Sequence, residues 1–459
     1  MSCLKLSVLG ALCTPMVLSA SPVQVHEAVL DNGLRILVQE DHRAPVAVTQ
    51  VWYKVGSSYE HGGITGISHM LEHMMFKGTR HHPPGEFSRI ISANGGSENA
   101  FTGQDYTAYF QTLGNDRLEV SFELEADRMR NLRLLRPEFI KEQQVVIEER
   151  RMRTDDQPQA RLEEHFNAVA FSDSPYRNPV IGWPDDVAGL TVEDLQDWYQ
   201  RWYAPNNATL VVVGDVQAAN VFRMAKKWFG PLRSSSIPVL KPQAEVQQLG
   251  IRRMTMHIPA KLPHIVMAWK VPSLLTAFDD NDAYALEVLS GILDGGNSAR
   301  FASSLVRGQQ VAADTGVGYE LMDRLSTLFS LEATPAEGHS TEELEVALRQ
   351  QIERLKNELV GDDELARVKA QVLAGNIYQR DSMFYQAMQM GMAETVGLGW
   401  AKVDEYVDRV NAVNAGQIQR VVRRYFIDDH LSIATLDPLP IPKGSHIGEA
   451  AMSGGQHVR

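Results

Sequence analysis

The chain has 459 residues, 44% hydrophobic and 22% charged, a composition that buries a sizeable core and excludes a disordered tail. The length fits two large domains or several small ones. A formal net charge of −13 excludes a nucleic-acid binder held by phosphate contacts, and the two cysteines, Cys3 and Cys13, exclude a cysteine-based zinc finger and a disulfide scaffold.

At the N-terminus, Lys5 is followed by an apolar run from Leu6 to Leu18 and then by Ser19-Ala20-Ser21-Pro22. Residues 1–20 read as a secretory signal peptide cleaved near Ala20. The run is shorter than the ~20 residues of a spanning helix, and no later stretch qualifies, so no stable membrane insertion is expected after cleavage. Both cysteines leave with the signal, and the remainder tolerates an oxidising compartment. A periplasmic or secreted location is expected.

Val29 to Val38 places Asn32-Gly33 between apolar residues, which predicts a hairpin. Val46 to Val55 reads as a buried strand. Helical periodicity runs from Gly66 to Phe76 and, after Pro83-Pro84, from Gly85 to Ala93. Asp105 to Leu113 alternates as a strand. Two long helices follow, Arg117 to Met129 and Pro137 to Arg153. Val192 to Tyr203 and Ala218 to Phe229 are helical, with a strand from Ala208 to Val213 between them.

Residues 233–250 have linker composition. Val192 to Val211 aligns without gaps to Ala415 to Ala434, each an amphipathic helix ending in aromatics, then a polar turn, then an apolar strand. The repeat predicts two similar domains, 21–232 and 251–439, in an α+β fold. The polar segment 440–459 reads as a flexible tail.

The sharpest local signal is Ser68-His69-Met70-Leu71-Glu72-His73. His69 and His73 stand one turn apart on one helix face, and Glu72 projects near it. Ile67, Met70, Leu71 and Met74 cover the core side. Two imidazoles and a carboxylate are the minimum for a zinc hydrolase: two nitrogen ligands and a base. A catalytic zinc also requires a third protein ligand.

His-x-x-Glu-His is the inverted zinc-peptidase pattern, and the run from His69 to Thr79 resembles the M16 peptidase family (pitrilysin, insulin-degrading enzyme, the mitochondrial processing peptidase). The resemblance implies that a glutamate on a later helix completes the metal site, a place filled by Glu149. It implies a further glutamate two turns earlier on the same face, filled by Glu142. Asn94 to Phe110 resembles the family's G-G-x-x-N-A-x-T segment, an edge strand that binds substrate. Asn99, Ala100 and Phe101 would then hold an extended peptide by strand addition. His81 and His82 read as loop residues. In the second half, which has no H-x-x-E-H, Arg307 fits the position of an arginine that relatives reach across to the active site. The accompanying tyrosine position falls on Ala313 or Asp314.

The resemblance thus implies one Zn2+ per chain on His69, His73 and Glu149, with Glu72 as general base and Glu142 supporting catalysis by orienting a ligand. It implies two domains, each a mixed, mostly antiparallel sheet packed with helices, together forming half of a clamshell. The expected function is an exported zinc endopeptidase hydrolysing extended or unfolded peptides in a closed chamber. The alternative is a non-catalytic peptide-binding or assembly subunit of a heterodimer. Closing the chamber requires a second chain, either another copy or an M16 paralogue carrying the Arg/Tyr pair.

Overall fold

The computed structural model describes residues 24–241 and 244–442. The expected signal peptide and most of the expected tail lie outside the described residues.

The first unit runs β1 (Val25–Val29), β2 (Arg35–Glu40), β3 (Val46–Tyr53), α1 (Ile67–Met74), α2 (Glu86–Ala93), β4 (Ser97–Thr102), β5 (Thr107–Gly114), α3 (Leu118–Asn131), α4 (Arg136–Arg150), α5 (Pro158–Ala170), α6 (Pro184–Gly189), α7 (Val192–Trp202), β6 (Ala208–Gly214) and α8 (Ala218–Trp228). The second runs β7 (Arg252–Pro259), β8 (His264–Val271), α9 (Asp280–Asp294), β9 (Ala312–Tyr319), β10 (Thr327–Pro335), α10 (Thr341–Asn357), α11 (Asp362–Arg380), α12 (Met383–Val396), α13 (Lys402–Ala412), α14 (Ala415–Tyr425) and β11 (Leu431–Leu439).

The first sheet has the order β1, β2, β6, β3, β5, β4, and the second β7, β11, β8, β10, β9. In the first, β2 and β6 are parallel and every other pair is antiparallel. In the second, β7 and β11 are parallel and the rest antiparallel. Five strands of one sheet therefore repeat in the other, and the first sheet adds β1, the outer strand of the β1–β2 hairpin. The Asn32-Gly33 turn closes that hairpin with Gly33 at φ 90°, where a Cβ would also lie 2.7 Å from the Asn206 Cβ. The aligned segments of the repeat are α7 to β6 and α14 to β11. Each helix opens on a capping box, Thr191 with Asp194 and Asn414 with Gln417.

The central strands are buried on both faces, and alternate residues enter different cores. Val51, Tyr53, Leu210 and Val212 pack under α1, α3, α7 and α8 of their own unit. Val48, Trp52, Val211 and Val213 pack instead against Ala387, Met388 and Met390 of α12, which belongs to the second unit. The exchange is reciprocal. Leu162, Phe166 and Ala170 of α5 cover Val266, Ala268, Ala434 and Leu436 of the second sheet. Each unit thus lends one helix to the other's sheet.

One boundary differs from the periodicity. The helix predicted over Pro137 to Arg153 ends as an α-helix at Arg150 and continues as a π-helical turn, Arg151–Asp155. Arg153, within that turn, reaches back to Glu149, 2.6 Å between Nη1 and Oε1.

Candidate active site

Helix α1 follows a tight loop. Gly66 at its start has φ 85°, and a Cβ there would meet the Ile181 carbonyl at 2.6 Å. The buried Glu60 carboxylate accepts the N–H groups of Gly66 (2.7 Å) and Ser68 (2.9 Å), satisfying donors at the helix N-terminus. At the end of α4, Arg150 binds Glu164 of α5 through two bonds of 2.6 and 2.8 Å and reaches the Gly182 carbonyl at 2.7 Å. Both helices are therefore fixed where they carry polar side chains inward.

His69, His73 and Glu149 are 9%, 8% and 6% exposed. One ligand atom from each lies within 4.8 Å of the others. Glu149 Oε2 is 3.2 Å from His73 Nε2 and 3.9 Å from His69 Nε2. Ligands about 2.0–2.2 Å from a tetrahedral ion stand roughly 3.3–3.6 Å apart, so a small closure brings these atoms to coordination distance. Two imidazoles and a carboxylate suit zinc.

Other groups fix two of the three ligands. Glu142 Oε1 is 3.0 Å from His73 Nδ1, and its Oε2 is 2.6 Å from Lys77 Nζ. A proton held between Nδ1 and Glu142 leaves Nε2 for an ion. Arg153 occupies Glu149 Oε1 and directs Oε2 inward. Burial disfavours a charged His73, but Glu142 and Glu149 outweigh it and raise its pKa to about 9. Burial likewise opposes ionisation of Glu149, yet His73, His69 and Arg153 lower its pKa to about 2. An ion entering the cluster at neutral pH displaces a proton from His73.

The cluster opens into a cleft of about 430 Å³. Glu72 lines it, and Thr102 Oγ1 donates to Glu72 Oε2 at 2.5 Å. Ala100 and Phe101 line it from β4, the edge strand of the sheet. Asn99 does not: its Oδ1 accepts the Ala100 N–H at 2.9 Å. Glu142 sits behind His73 and contacts His73 and Lys77, the place of a positioning residue and not of a group touching reacting atoms. Arg307 lies in a π-helical segment, Ala302–Gly308, and donates to the Asn297 carbonyl; the structure does not bring it to this chain's cleft. His81 bonds Asp127, and His82 faces Glu86.

Sequence reasoning missed several residues. Arg153 carried a signal, four positions beyond Glu149. Thr102 stood in a segment already singled out. Arg324 carried none. It extends from the β9–β10 loop into the first unit, where its Nε meets Asp105 Oδ1 at 2.9 Å, its Nη2 meets Ser58 Oγ at 2.8 Å, and its guanidinium lies over Tyr59. Asp105 also accepts from the Tyr176 hydroxyl, and Tyr176 lines the cleft.

A family model described as Insulinase (Peptidase family M16) matches residues 35–183, and one described as Peptidase M16 inactive domain matches residues 189–372. The zinc protease PqqE of Helicobacter pylori is 36% identical over 351 residues, covering 75% of this chain and 78% of that protein. A protease structure from Helicobacter pylori superposes with a TM-score of 0.85 at 31% identity, covering 91% of this chain and all of that one. The periplasmic protease PqqL of Escherichia coli shares the fold (TM-score 0.75, 18% identity), and this chain spans 48% of its length. With a relative 36% identical over three quarters of the chain, the chain belongs to the M16 peptidase family.

Proposed function

We propose that the chain is a zinc-dependent endopeptidase acting on extended or unfolded peptides. The observation that carries the reading is the buried His69–His73–Glu149 cluster sharing one cleft with Glu72 and an open strand edge. His69 Nε2, His73 Nε2 and Glu149 Oε2 would hold one zinc. When bound, zinc supplies a Lewis acid that polarises the scissile carbonyl and makes water more acidic.

The chain's own residues do the rest. The free edge of β4 pairs with an extended peptide and lays its backbone past Glu72. Thr102 donates to one carboxylate oxygen of Glu72 and so orients the carboxylate, which accepts a proton from the attacking water and passes it to the leaving amine. Glu142 keeps the His73 ring oriented.

The chain spans about half of PqqL, so a second half-shell closes the chamber, either another copy or an M16 paralogue. Arg307 lies outside its own cleft, so a role for it would be toward the second chain's site. Export to the periplasm rests on the reading of residues 1–20.

The test is zinc content and cleavage of an unfolded peptide by the purified chain, alone and with candidate paralogues. Glu72→Gln should keep zinc and lose turnover. Full activity in that variant sinks the reading, and peptide binding without turnover in the parent favours the non-catalytic subunit.

A further inference from the structure

The chain leaving α1 meets the chain approaching α4 in a short antiparallel bridge, Thr79 with Leu132. The Arg80 N–H donates to the Asn131 carbonyl at 2.9 Å, and the Arg133 N–H to the Gly78 carbonyl at 3.1 Å. On such a ladder Arg80 and Arg133 are diagonal neighbours on one face, their Cα atoms about 7–8 Å apart. From those positions both guanidiniums can reach one anion.

Both line a cavity of about 530 Å³, separate from the catalytic cleft. Arg130, in the last turn of α3, lines it as well, anchored by a 2.9 Å bond from Nη1 to the Tyr203 carbonyl. Gln196 and Gln200 of α7 add amide groups, and Tyr199 and Leu132 form an apolar wall. Among the described residues none of the three guanidiniums forms an ion pair. Asp127 on α3 is taken up by Thr79, His81 and Asn131. In a chain with 57 acidic and 44 basic residues, three arginines converging without a carboxylate form a site with spare positive charge.

The geometry points to a binding site for a phosphate monoester with an apolar or planar body, distinct from the catalytic cleft. Guanidinium forks match the oxygens of a dianionic phosphate in pairs, the amides complete its donors, and the tyrosine and leucine wall takes the body. The inference is independent of the peptidase reading.

Phenyl phosphate is the probe, titrated calorimetrically into the full chain at low salt. One saturable site is expected. The double variant Arg80→Gln/Arg133→Gln should weaken binding about tenfold or more, with zinc content unchanged. Arg136→Gln, on an exposed residue outside the cavity, should bind as the parent does. Glu149→Val should also bind it unchanged, which separates this site from an anion held by a metal in the cleft. In the unmutated protein, phenyl phosphate should slow phenylglyoxal modification of Arg80, Arg130 and Arg133 about fivefold, mapped by mass spectrometry. No saturable binding, equal binding by the double variant, loss of binding in Glu149→Val, or unprotected arginines would each overturn the proposal.

Discussion

The same helix pair is built twice and filled with opposite chemistry. In the first unit α1 follows β3 and packs on α4; in the second α9 follows β8 and packs on α11. Between α1 and α4 lie His69, His73, Glu142 and Glu149. Between α9 and α11, Gly291 presses on valines, and a Cβ at Gly291 would lie 2.9 Å from Val368 Cγ1 and 3.4 Å from Val372 Cγ2. The apolar version holds the helices together without a charge. The polar cluster is therefore not needed for packing, and burying it is costly unless it is paired or coordinated. Histidines follow the same division. His73 is buried among carboxylates and has its pKa raised to about 9, whereas burial lowers His264 of β8 to about 4, only weakly opposed by Asp314.

Giving the first pair the chemistry of the second should have the largest effect. Glu149→Val is expected to abolish both bound metal and peptide cleavage, read by elemental analysis and a fluorogenic peptide. A variant that retained one ion per chain would break the comparison. Glu72→Gln sharpens it: metal stays, and turnover falls by a factor of about 10²–10⁴.

The third test uses pH. Folded His264 stays neutral down to about pH 4, while the unfolded chain takes up its proton near pH 6.5. Its contribution is full above pH 6.5 and is lost as pH falls toward 4, roughly 3 kcal/mol in all. Urea unfolding of the parent and His264→Gln across that range should show the parent losing stability more steeply. Parallel curves would remove the contrast with His73. The smallest effect is expected for Gly291→Ala, which crowds Val368 and should cost about 1–3 kcal/mol in unfolding free energy without changing metal content.

The parts legible in sequence were those written in local periodicity. The α1 helix with its two histidines, the Asn32-Gly33 hairpin, and the paired segments α7–β6 and α14–β11 follow from spacing, turn chemistry and matched apolar positions. Glu149 did not follow from spacing, because nothing in a helix 76 residues away marks it as a partner of His73; the family resemblance carried it. Helix α5 went unassigned, and its apolar stripe makes sense only against the second unit's sheet. The π-turn after Arg150 and the reach of Arg324 to Asp105 are tertiary facts with no local pattern. The contact of Arg307 with the Asn297 carbonyl, away from this chain's cleft, likewise has no mark in its own segment.

The exchange of α5 and α12 also dictates an order of events during synthesis. The first sheet is complete once Gly214 has left the ribosome, yet the helix that shields its Trp52 and Val211 face ends only at Val396. For that interval a broad apolar sheet face has no cover, a state prone to aggregation and to capture by holding chaperones. Native pairing across so long a stretch of chain raises contact order and slows folding. A fragment stopped at residue 241 would keep that bare face permanently, so the first unit is expected to precipitate when made alone and to be rescued by co-expressing residues 244–442.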